Sequence, residues 1–289
     1  MPEQALFIGL GVMGFHMAGH LSKSISTLVY NRTGEKAEAW LEAFQGERVD
    51  SLKEIPETVR YVMTCIGNDR DLESVYLETG GLLDQCSPGT ILIDHTTASA
   101  DIARRIADQA QSRGLAFIDA PVSGGEQGAI NGQLTIMCGG DKDAFERVRV
   151  LLDSYAKAVT LLGNSGAGQL TKMCNQLAVA GVVQGLAEAI HFGEQAGLDC
   201  RQVIDVISKG AAQSWQMENR YETMIRGEYN HGFAVDWMRK DLAICLDEAR
   251  RNGAKLPLGA LIDQFYADVQ NMGGGRWDTS SLLERLRNQ

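Results

Sequence analysis

The stretch from Gly166 to Gln195 places the tightest constraint on how this chain can fold. It begins with two glycines, carries Lys172 and Asn175 one helical turn apart, and is almost wholly apolar from Leu177 to Leu186. A helix that is apolar on all sides is buried on all sides. A helix of this length spans about 45 Å, longer than most helices inside a single domain. The stretch therefore predicts a long helix that joins two domains.

Length and charge set the broad class of protein. A chain of 289 residues with a hydrophobic content of 44% is long enough for two globular domains. The net charge of −10, without a cluster of basic residues, argues against a nucleic-acid partner, because phosphate backbones need a basic surface. We expect a small molecule to be the ligand.

The cysteines and the N-terminus indicate the compartment. The six cysteines are scattered without a Cys-x-x-Cys pair, so neither a metal site nor a disulfide framework is expected. The N-terminus lacks the basic and apolar regions of a signal peptide, and no uninterrupted apolar run of about 18 residues predicts a membrane span. We expect a cytoplasmic protein with no membrane partner.

A glycine-rich turn follows the first apolar run. Residues 5–10 read as a strand and residues 12–22 as a helix, with G-x-G-x-x-G between them. In dinucleotide folds these glycines allow a tight turn, a close approach of the backbone to a pyrophosphate, and close packing of helix on strand. The predicted cofactor-binding residues of this turn are Gly9, Leu10, Gly11, Val12, Met13 and Gly14.

A second strand is predicted at 26–30, and the residues after it indicate which dinucleotide binds. Sites that prefer NAD usually place a carboxylate there, for the ribose hydroxyls. This chain has Asn31, Arg32 and Thr33 instead. These three residues include no carboxylate that would repel a 2′-phosphate. The Arg32 guanidinium is suited to pair with such a phosphate. The three residues therefore predict NADP as the preferred cofactor over NAD.

Alternating strands and helices continue to about residue 162. Further strands are predicted at 60–67, 90–95, 115–119, 133–138 and 156–162, with helical patterns at 34–45, 69–78, 98–113 and 141–155. This alternation predicts a doubly wound, mainly parallel α/β domain. Ligands of such domains bind beyond the carboxyl ends of the strands, which adds the residues Ile66, Gly67, Asn68, Thr96 and Thr97. We interpret His95 as a polar residue at a strand end rather than an acid or base.

The segment 119–132 carries four glycines and a proline, and we expect it to be irregular. Ser123, Gly124 and Gly125 offer a hydroxyl and unobstructed backbone N–H groups, a chemical match for a carboxylate. The segment therefore predicts the binding site of a small carboxylate substrate.

The remainder of the chain is predicted to be all helical. Helical patterns cover 200–209, 214–226, 235–253 and 257–271, and a last short helix is expected at 278–286, capped by Thr279 or Ser280. We predict a cofactor-binding domain over 1–163. An all-α domain for substrate binding and oligomerisation should cover 164–289 and begin with the long helix.

Lys172, Asn175 and Gln176 share one face of the long helix. Apolar neighbours such as Met173 and Leu177 leave little of this turn open to water. An ammonium at a cleft donates a proton to a carbonyl oxygen during reduction and accepts it back from an alcohol during oxidation. The pattern predicts Lys172 as a general acid and base, and Asn175 as a ligand of the same substrate.

The chain resembles the β-hydroxyacid dehydrogenase family through four separated motifs in the family's order. They are GLGVMGFHMA at 9–18, DAPVSGGEQGAINGQL at 119–134, GAGQLTKMCNQ at 166–176 and KDLAICLDEA at 240–249. The resemblance covers nearly the whole chain and implies a Rossmann domain, a long interdomain helix and an all-α C-terminal domain.

The resemblance also implies roles for individual residues. The family's lysine matching Lys172 is the catalytic acid and base, and its asparagine matching Asn175 binds substrate. Its Ser-Gly-Gly matching 123–125 holds the substrate carboxylate, and its lysine matching Lys240 lies near nicotinamide and substrate. The family implies a structural role for Asp241.

The motifs also bear on the choice within the family. Asn-Arg-Thr at 31–33 is similar to the NADPH-using reductase branch, and the presence of Lys172 argues against the related imine reductases, which replace it. After Asp94 the chain has His95-Thr96-Thr97 where the family often has Ser-Thr and then a proline. Thr96 and Thr97 are the predicted nicotinamide contacts where the chain departs from the family's pattern.

The sequence therefore predicts an oxidoreductase that transfers a hydride between NADP(H) and a short β-hydroxyacid or its semialdehyde. The alternatives are a reductase of glyoxylate or succinic semialdehyde with the same fold, and a non-catalytic NADP-binding module that acts through assembly. A homodimer or homotetramer is expected, because Gly181 and Gly185 permit a close helix crossing. The residues considered as substrate selectors are Gln213, Ser214, Trp215, Met217 and Phe233.

Overall fold

The computed structural model describes residues 2–288, in two compact units that divide between Lys172 and Met173. The first unit contains the strands. They are β1 (Gln4–Ile8), β2 (Thr27–Tyr30), β3 (Glu47–Arg48), β4 (Val59–Thr64), β5 (Ile91–Asp94), β6 (Ala116–Asp119), β7 (Val122–Ser123), β8 (Leu134–Gly140) and β9 (Ala156–Leu161).

These strands form one mostly parallel sheet. Its order is β3-β2-β1-β4-β5-β6-β8-β7, and β9 pairs with β8. The pairs from β3 to β6 are all parallel, whereas β8 runs antiparallel to β6 and β7. The order of the first six strands is that of the Rossmann fold, in which the strand order reverses between β1 and β4. The predicted doubly wound α/β domain is confirmed.

Helices cover both faces of this sheet. They are α1 (Gly14–Leu21), α2 (Gly34–Ala43), α3 (Asp69–Leu72), which continues as a π-helical turn (Glu73–Leu77), α4 (Leu82–Gln85), α5 (Ala100–Ser112), α6 (Gly125–Ile130) and α7 (Lys142–Leu152). The side chains of β1 alternate between two cores: Phe7 packs in one with Met17, and Leu6 in the other with Ile102. A strand buried on both faces has to be apolar throughout, as residues 5–8 are.

The second unit is helical. The helix α8 (Ala167–Gln195) begins in the first unit and continues into the second. It is followed by α9 (Cys200–Ile207), α10 (Trp215–Asn219), α11 (Tyr221–Arg226), α12 (Val235–Asn252), α13 (Pro257–Asn271), a 3₁₀ turn (Thr279–Ser281) and α14 (Leu282–Arg287). The core of this unit is formed by side chains such as Val183, Met238, Leu242 and Ile262. The predicted long helix and helical C-terminal region are confirmed.

The prediction that the segment 119–132 is irregular was wrong. It contains β7 and α6, which are joined by Gly124 at φ 134° and Gly125 at φ 61°. Only glycine adopts both conformations without strain, so the glycines form the turn between a strand and a helix instead of preventing them. Within α6, Gly128 leaves room for the side chain of Leu134.

Other elements differ from the predictions in detail. The predicted helix 214–226 is interrupted at Arg220, which separates α10 from α11. The 3₁₀ turn before the last helix is capped by Asp278, which accepts a hydrogen bond from the Ser280 N–H. The helix α14 itself follows Ser281 without a side-chain cap, so the predicted caps Thr279 and Ser280 were wrong. The short elements β3 and α4 were not predicted, because two to four residues carry too little periodicity to detect.

None of the helices within residues 2–288 combines the length and the apolar character needed to cross a membrane. The same part of the chain contains no group of three or more His, Cys, Asp or Glu side chains suited to a metal ion.

Candidate active site

The glycine-rich turn after β1 is shaped by close backbone contacts. Gly9 has φ 97°, and a Cβ atom there would lie 2.3 Å from the Cys65 carbonyl oxygen. A Cβ on Gly14 would lie 1.9 Å from the Gly9 carbonyl oxygen. A Cβ on Gly11 would meet no atom within 4 Å. Gly9 and Gly14 are therefore required by the turn itself, and Gly11 borders open space of the kind a pyrophosphate needs.

The first turn of α1, which follows the glycine-rich turn, is also suited to bind an anion. Its N-cap residue, Met13, contributes no side-chain hydrogen bond to the start of the helix. Helix N-termini carry partial positive charge and N–H groups that bind phosphate. The turn 9–14 therefore fits a dinucleotide, with the exposed Val12 at its rim.

Asn31 ties the end of β2 to the glycine-rich turn. Its Oδ1 accepts a hydrogen bond of 2.9 Å from the Leu10 N–H, and its Nδ2 donates to the Thr33 carbonyl. The exposed Arg32 therefore lies in a loop that is fixed on both sides, and residues 2–288 contain no ion-pair partner for it. Thr33 is the N-cap residue of α2. The Arg32 guanidinium is the group of this loop that remains available for a phosphate.

The loops after β4 and β5 are bonded to each other. The Ile66 N–H donates to Oγ1 of Thr96 at 3.0 Å. Asn68 caps α3, since its Oδ1 accepts from the N–H groups of Arg70 and Asp71. A Cβ on Gly67 would lie 2.2 Å from Oδ2 of Asp71. The predicted cofactor residues 66–68 and the Thr96–Thr97 pair thus belong to one connected strand edge.

The buried carboxyl group of Asp94 is hydrogen-bonded to residues of this strand edge. Oδ1 of Asp94 accepts hydrogen bonds from Thr64 Oγ1 at 2.6 Å and from the Thr96 N–H at 3.1 Å. The hydroxyl of Tyr76, on the π-helical turn, lies 2.8 Å from Thr64 Oγ1. Burial raises the pKa of Asp94 to about 7, although these hydrogen bonds favour its ionised form.

His95 is a structural residue, as interpreted from the sequence. Its Nδ1 lies 2.7 Å from the Ala120 carbonyl oxygen and its Nε2 lies 3.0 Å from the Tyr155 hydroxyl. Burial lowers the pKa of His95 to about 4. The neutral ring therefore donates from Nδ1 and accepts at Nε2, which leaves no nitrogen for proton transfer.

Asp119, at the end of β6, anchors the start of α8. Its Oδ1 accepts from the Gly166 N–H at 2.7 Å and its Oδ2 from the Gln169 N–H at 2.9 Å. A Cβ on Gly168 would lie 2.3 Å from the Met137 carbonyl oxygen of β8, so only glycine fits this contact. Burial raises the pKa of Asp119 to about 6, against the effect of the N–H groups that bond to it. The first turn of α8 is thereby fixed to the carboxyl edge of the sheet.

Lys172 lies on the next turn of α8 and is 7% exposed. Gln169, three residues earlier and fully buried, bonds through its side chain to the backbone of Thr96 and Ala98. Within the first unit, the helix turn that carries Lys172 is therefore attached both to β6 and to the loop after β5. Lysine is rarely buried unless its amine has a partner or a function.

Ser123, Gly124 and Gly125 lie where β7 ends and α6 begins. Ser123 is half-buried, and the two glycines are exposed. A Cβ on Gly125 would meet no atom within 4 Å, so its backbone is open to a ligand. Nε2 of His20 in α1 lies 2.9 Å from the carbonyl oxygen of Ile130, which ties this segment to the helix that follows the glycine-rich turn.

In the second unit, the structure connects Asn175 with Lys240. Nδ2 of Asn175 donates to Oε1 of Gln176 at 2.8 Å, and Nε2 of Gln176 donates to Oδ2 of Asp241 at 2.5 Å. Nζ of Lys240 lies 3.2 Å from Oδ1 of Asp241 and 5.7 Å from the centre of the Trp237 ring. Asp241 is buried and orients its neighbours. The two predicted substrate ligands thus belong to one polar network.

Two of the residues considered as substrate selectors have structural roles. Met217 packs in the core of the second unit, and Ser214 caps α10 by accepting from the Met217 N–H. Trp215 is half-exposed, with the Arg220 guanidinium 4.9 Å from its ring centre.

Two polar residues that hold the site together, Asp119 and Gln169, were not predicted to do so from the sequence. One signal was available for each. Asp119 is a charged residue that ends an otherwise apolar strand, and Gln169 is a polar residue in the first turn of a buried helix. Buried polar groups are hydrogen-bonded in folded proteins, so a hydrogen-bond partner could be expected for both side chains.

Two known families match successive parts of this chain and together cover most of it. Residues 4–163 match the family described as NAD binding domain of 6-phosphogluconate dehydrogenase. Residues 166–286 match the family described as NAD-binding of NADP-dependent 3-hydroxyisobutyrate dehydrogenase.

Individual proteins are similar over nearly the full length. The chain is 59% identical to an uncharacterized oxidoreductase of Shewanella frigidimarina, over 97% of each chain. It is 32% identical to the 2-hydroxy-3-oxopropionate reductase of Escherichia coli, over 97% of this chain and 96% of the relative. The solved structure of 3-hydroxyisobutyrate dehydrogenase from Mycobacterium tuberculosis with L-serine has a TM-score of 0.87 at 28% identity, covering 99% of this chain and 100% of that one. The chain is therefore a member of the β-hydroxyacid dehydrogenase family of NAD(P)-dependent oxidoreductases.

Proposed function

We propose that this enzyme prefers NADP over NAD and transfers a hydride between NADP(H) and a short β-hydroxyacid or its semialdehyde, with Lys172 as the general acid and base. The observation that carries the proposal is the attachment of the Lys172 turn to the carboxyl edge of the sheet through Asp119 and Gln169. Ligands of doubly wound sheets bind beyond that edge.

The cofactor would be held by residues of the first unit. The turn 9–14 takes the pyrophosphate, and residues 66–68 and Thr97 border the path toward the nicotinamide. Arg32 takes the 2′-phosphate, because its exposed guanidinium has no carboxylate partner within residues 2–288 and is suited to bidentate contact with phosphate. When bound, the cofactor supplies or accepts the hydride.

The substrate is held by its carboxylate. Ser123, Gly124 and Gly125 offer a hydroxyl and backbone N–H groups on an exposed turn. Asn175 and Lys240 are the further proposed substrate ligands, and the network through Gln176 and Asp241 connects them within the second unit. Fixing a short substrate at one end makes reaction at the other end effectively intramolecular.

Lys172 moves the proton. In the direction of reduction its ammonium donates a proton to the carbonyl oxygen of the semialdehyde, and in the direction of oxidation its neutral amine accepts the proton of the alcohol. His95 takes no part, because both of its ring nitrogens are bonded to protein groups.

The test is a screen of the purified enzyme against short semialdehydes, followed by NADPH absorbance. The set includes methylmalonate semialdehyde, 2-hydroxy-3-oxopropionate, succinic semialdehyde and glyoxylate. We expect turnover with at least one three- or four-carbon semialdehyde that carries a carboxylate, and none with the matching aldehydes that lack it. Equal turnover with the uncharged aldehydes would contradict the role of Ser123–Gly125, and binding of NADPH without any turnover would favour a binding module.

A further inference from the structure

Both polar side-chain atoms of Gln169 and its backbone N–H are hydrogen-bonded. Its side chain is 0% exposed. Oε1 accepts a hydrogen bond of 3.0 Å from the Ala98 N–H, and Nε2 donates one of 2.7 Å to the Thr96 carbonyl oxygen. Its own N–H donates to Oδ2 of Asp119. One residue therefore links helix α8 to the loop after β5 and to the end of β6.

The loop that Gln169 contacts is itself rigid. The Thr96 N–H bonds to Asp94, and Thr96 Oγ1 accepts from the Ile66 N–H. The Ser99 side chain caps α5 by accepting from the Ile102 N–H. The loop between β5 and α5 is thus fixed at both ends, and Gln169 attaches α8 to a firm support.

Lys172 follows Gln169 at i+3, the spacing that places two side chains on neighbouring positions of a helix surface. A shift or rotation of this turn would move both side chains together. Gly166, at φ 93°, and Gly168 precede Gln169 and contribute no side-chain packing of their own. The Gln169 side chain therefore contributes two hydrogen bonds to the attachment of this turn to the loop after β5.

We infer that Gln169 is a positioning residue, whose two side-chain hydrogen bonds set the place of the Lys172 amine relative to the Thr96–Ala98 loop. The inference rests on the proposed function, in which this loop borders the nicotinamide and Lys172 moves the proton. Gln169 acts through Lys172 and exchanges no proton itself, since a carboxamide does not titrate in the physiological range.

The first test replaces both hydrogen bonds with an apolar side chain of similar length. In Gln169→Met, the Ala98 N–H and the Thr96 carbonyl lose their partners. We expect kcat to fall on the order of tenfold or more, as for other small displacements of catalytic groups, with the Kd for NADPH changed less than about threefold. Gln111→Met is the control, because Gln111 is exposed on α5. An unchanged kcat in Gln169→Met would overturn the inference.

The second test replaces the hydrogen-bond donor to the Thr96 carbonyl by a carboxyl group, which can donate that hydrogen bond only when it is protonated at lower pH. In Gln169→Glu one carboxylate oxygen still accepts from the Ala98 N–H, but the other faces the Thr96 carbonyl oxygen and repels it unless it is protonated. Burial raises the pKa of the introduced carboxyl. Charged groups on the elements that meet at this contact include Asp94, Asp119 and Asp69, which bond to backbone N–H groups of the contact or of Ser99 beside it, Asp101 and Arg104 on α5, and Lys172 on α8.

The readout is kcat of Gln169→Glu divided by kcat of the wild type at the same pH. This ratio should rise several-fold as pH falls from about 9 to about 6, because protonation lets the carboxyl donate to Thr96. The ratio for Gln111→Glu should stay flat. A flat ratio in Gln169→Glu would show that the bond to Thr96 does not position Lys172.

A third readout does not need turnover. The rate at which an amine-reactive reagent labels Lys172, followed by peptide mass spectrometry, reports how well the buried amine is held. We expect labelling to be at least threefold faster in Gln169→Met than in the wild type or Gln111→Met. Equal labelling rates would overturn the inference even if no substrate were found. If the variant is labelled faster but the wild type turns over no substrate, only the proposed function is contradicted.

Discussion

Burial determines which acids and bases at the carboxyl edge of the sheet carry charge. His95 is neutral in the folded state because its pKa is lowered to about 4, and it serves as a donor and acceptor between Ala120 and Tyr155. Burial raises the pKa of Asp94 to about 7 and the pKa of Asp119 to about 6, so both carboxyl groups hold a proton more readily than in the unfolded chain. These residues shape the site without exchanging protons with a substrate.

The raised pKa of Asp94 predicts a pH-dependent contribution to stability. The folded state retains the proton to about pH 7, whereas the unfolded chain releases it near pH 4. The folded state therefore binds more protons in this interval, and the free energy of unfolding falls as pH rises through it. In Asp94→Asn this dependence is lost. We expect the variant to gain about 1 to 4 kcal/mol relative to the wild type between about pH 5 and pH 8, measured by urea unfolding.

The exposed Asp108→Asn serves as the control, because Asp108 lies on the solvent side of α5 and should leave the difference from the wild type independent of pH. A constant difference between Asp94→Asn and the wild type would mean that Asp94 keeps its ordinary pKa in the fold.

Arg32 sets the choice of cofactor in the proposed function. Replacing it by Asp removes the phosphate ligand and adds a carboxylate that repels the 2′-phosphate and accepts from ribose hydroxyls. We expect kcat/KM for NADP relative to NAD to fall on the order of a hundredfold in Arg32→Asp, the size expected for loss of a bidentate charged contact. Arg149→Asp, an exposed position on α7, should leave the ratio unchanged. A ratio in Arg32→Asp equal to that of the wild type would refute the phosphate contact.

Among the elements, the turn between β7 and α6 shows how glycine shapes a binding segment. Gly124 and Gly125 have consecutive positive φ angles, which bend the chain sharply and leave the backbone after Ser123 exposed. The count of glycines in this segment indicated a loop, but their positions create a defined turn between two regular elements. The proposed carboxylate site depends on that geometry.

Replacing Gly124 by Ala tests this dependence. Its φ of 134° is strained for any residue with a Cβ, and the added atom would lie 3.1 Å from Leu134. We expect KM for the carboxylate substrate to rise on the order of tenfold, with the Kd for NADPH unchanged. Gly114→Ala is the matched control: Gly114 also has a positive φ, of 71°, but lies after α5. Equal effects of both substitutions on KM would show that only general stability is involved.

The sequence predicted the elements that have a clear periodicity. The strands and long helices of the α/β unit and the 29-residue α8 followed from apolar patterns, and the glycine-rich turn followed from its spacing. The bonds of Gln169 to Thr96 and Ala98 join residues that are more than 70 positions apart, and no local pattern encodes them. The division of α10 from α11 at Arg220 was missed because both helices continue one apolar pattern.

For the whole molecule, exposed apolar side chains on the second unit support the expected homodimer or homotetramer. Val182 on α8 and Leu258 and Leu261 on α13 are each at least 41% exposed. A Cβ on Gly185 would meet no atom within 4 Å, whereas one on Gly181 would contact Leu258 of the same chain. Contiguous exposed apolar patches mark surfaces that other proteins cover, whereas single exposed apolar side chains do not. We propose that a second copy of the chain packs here.

Replacing Leu261 by Lys places a charge in this apolar surface. We expect light scattering to report a smaller assembly for Leu261→Lys than for the wild type, because an unpaired charge buried in an interface opposes association. Leu162→Lys is the control, since Leu162 is similarly exposed, at 45% against 50%, but lies after β9 in the first unit. A monomeric wild type, or an unchanged mass in Leu261→Lys, would contradict the proposed interface.

The most direct test of the central claim is the turnover of Lys172→Ala. If Lys172 is the general acid and base, the variant should lose kcat by a factor of about 10² to 10⁴, the usual contribution of a positioned proton donor. Its Kd for NADPH, measured by cofactor fluorescence, should stay within about threefold of the wild type, because the predicted cofactor ligands lie on other elements. Turnover close to that of the wild type would contradict the assignment of Lys172.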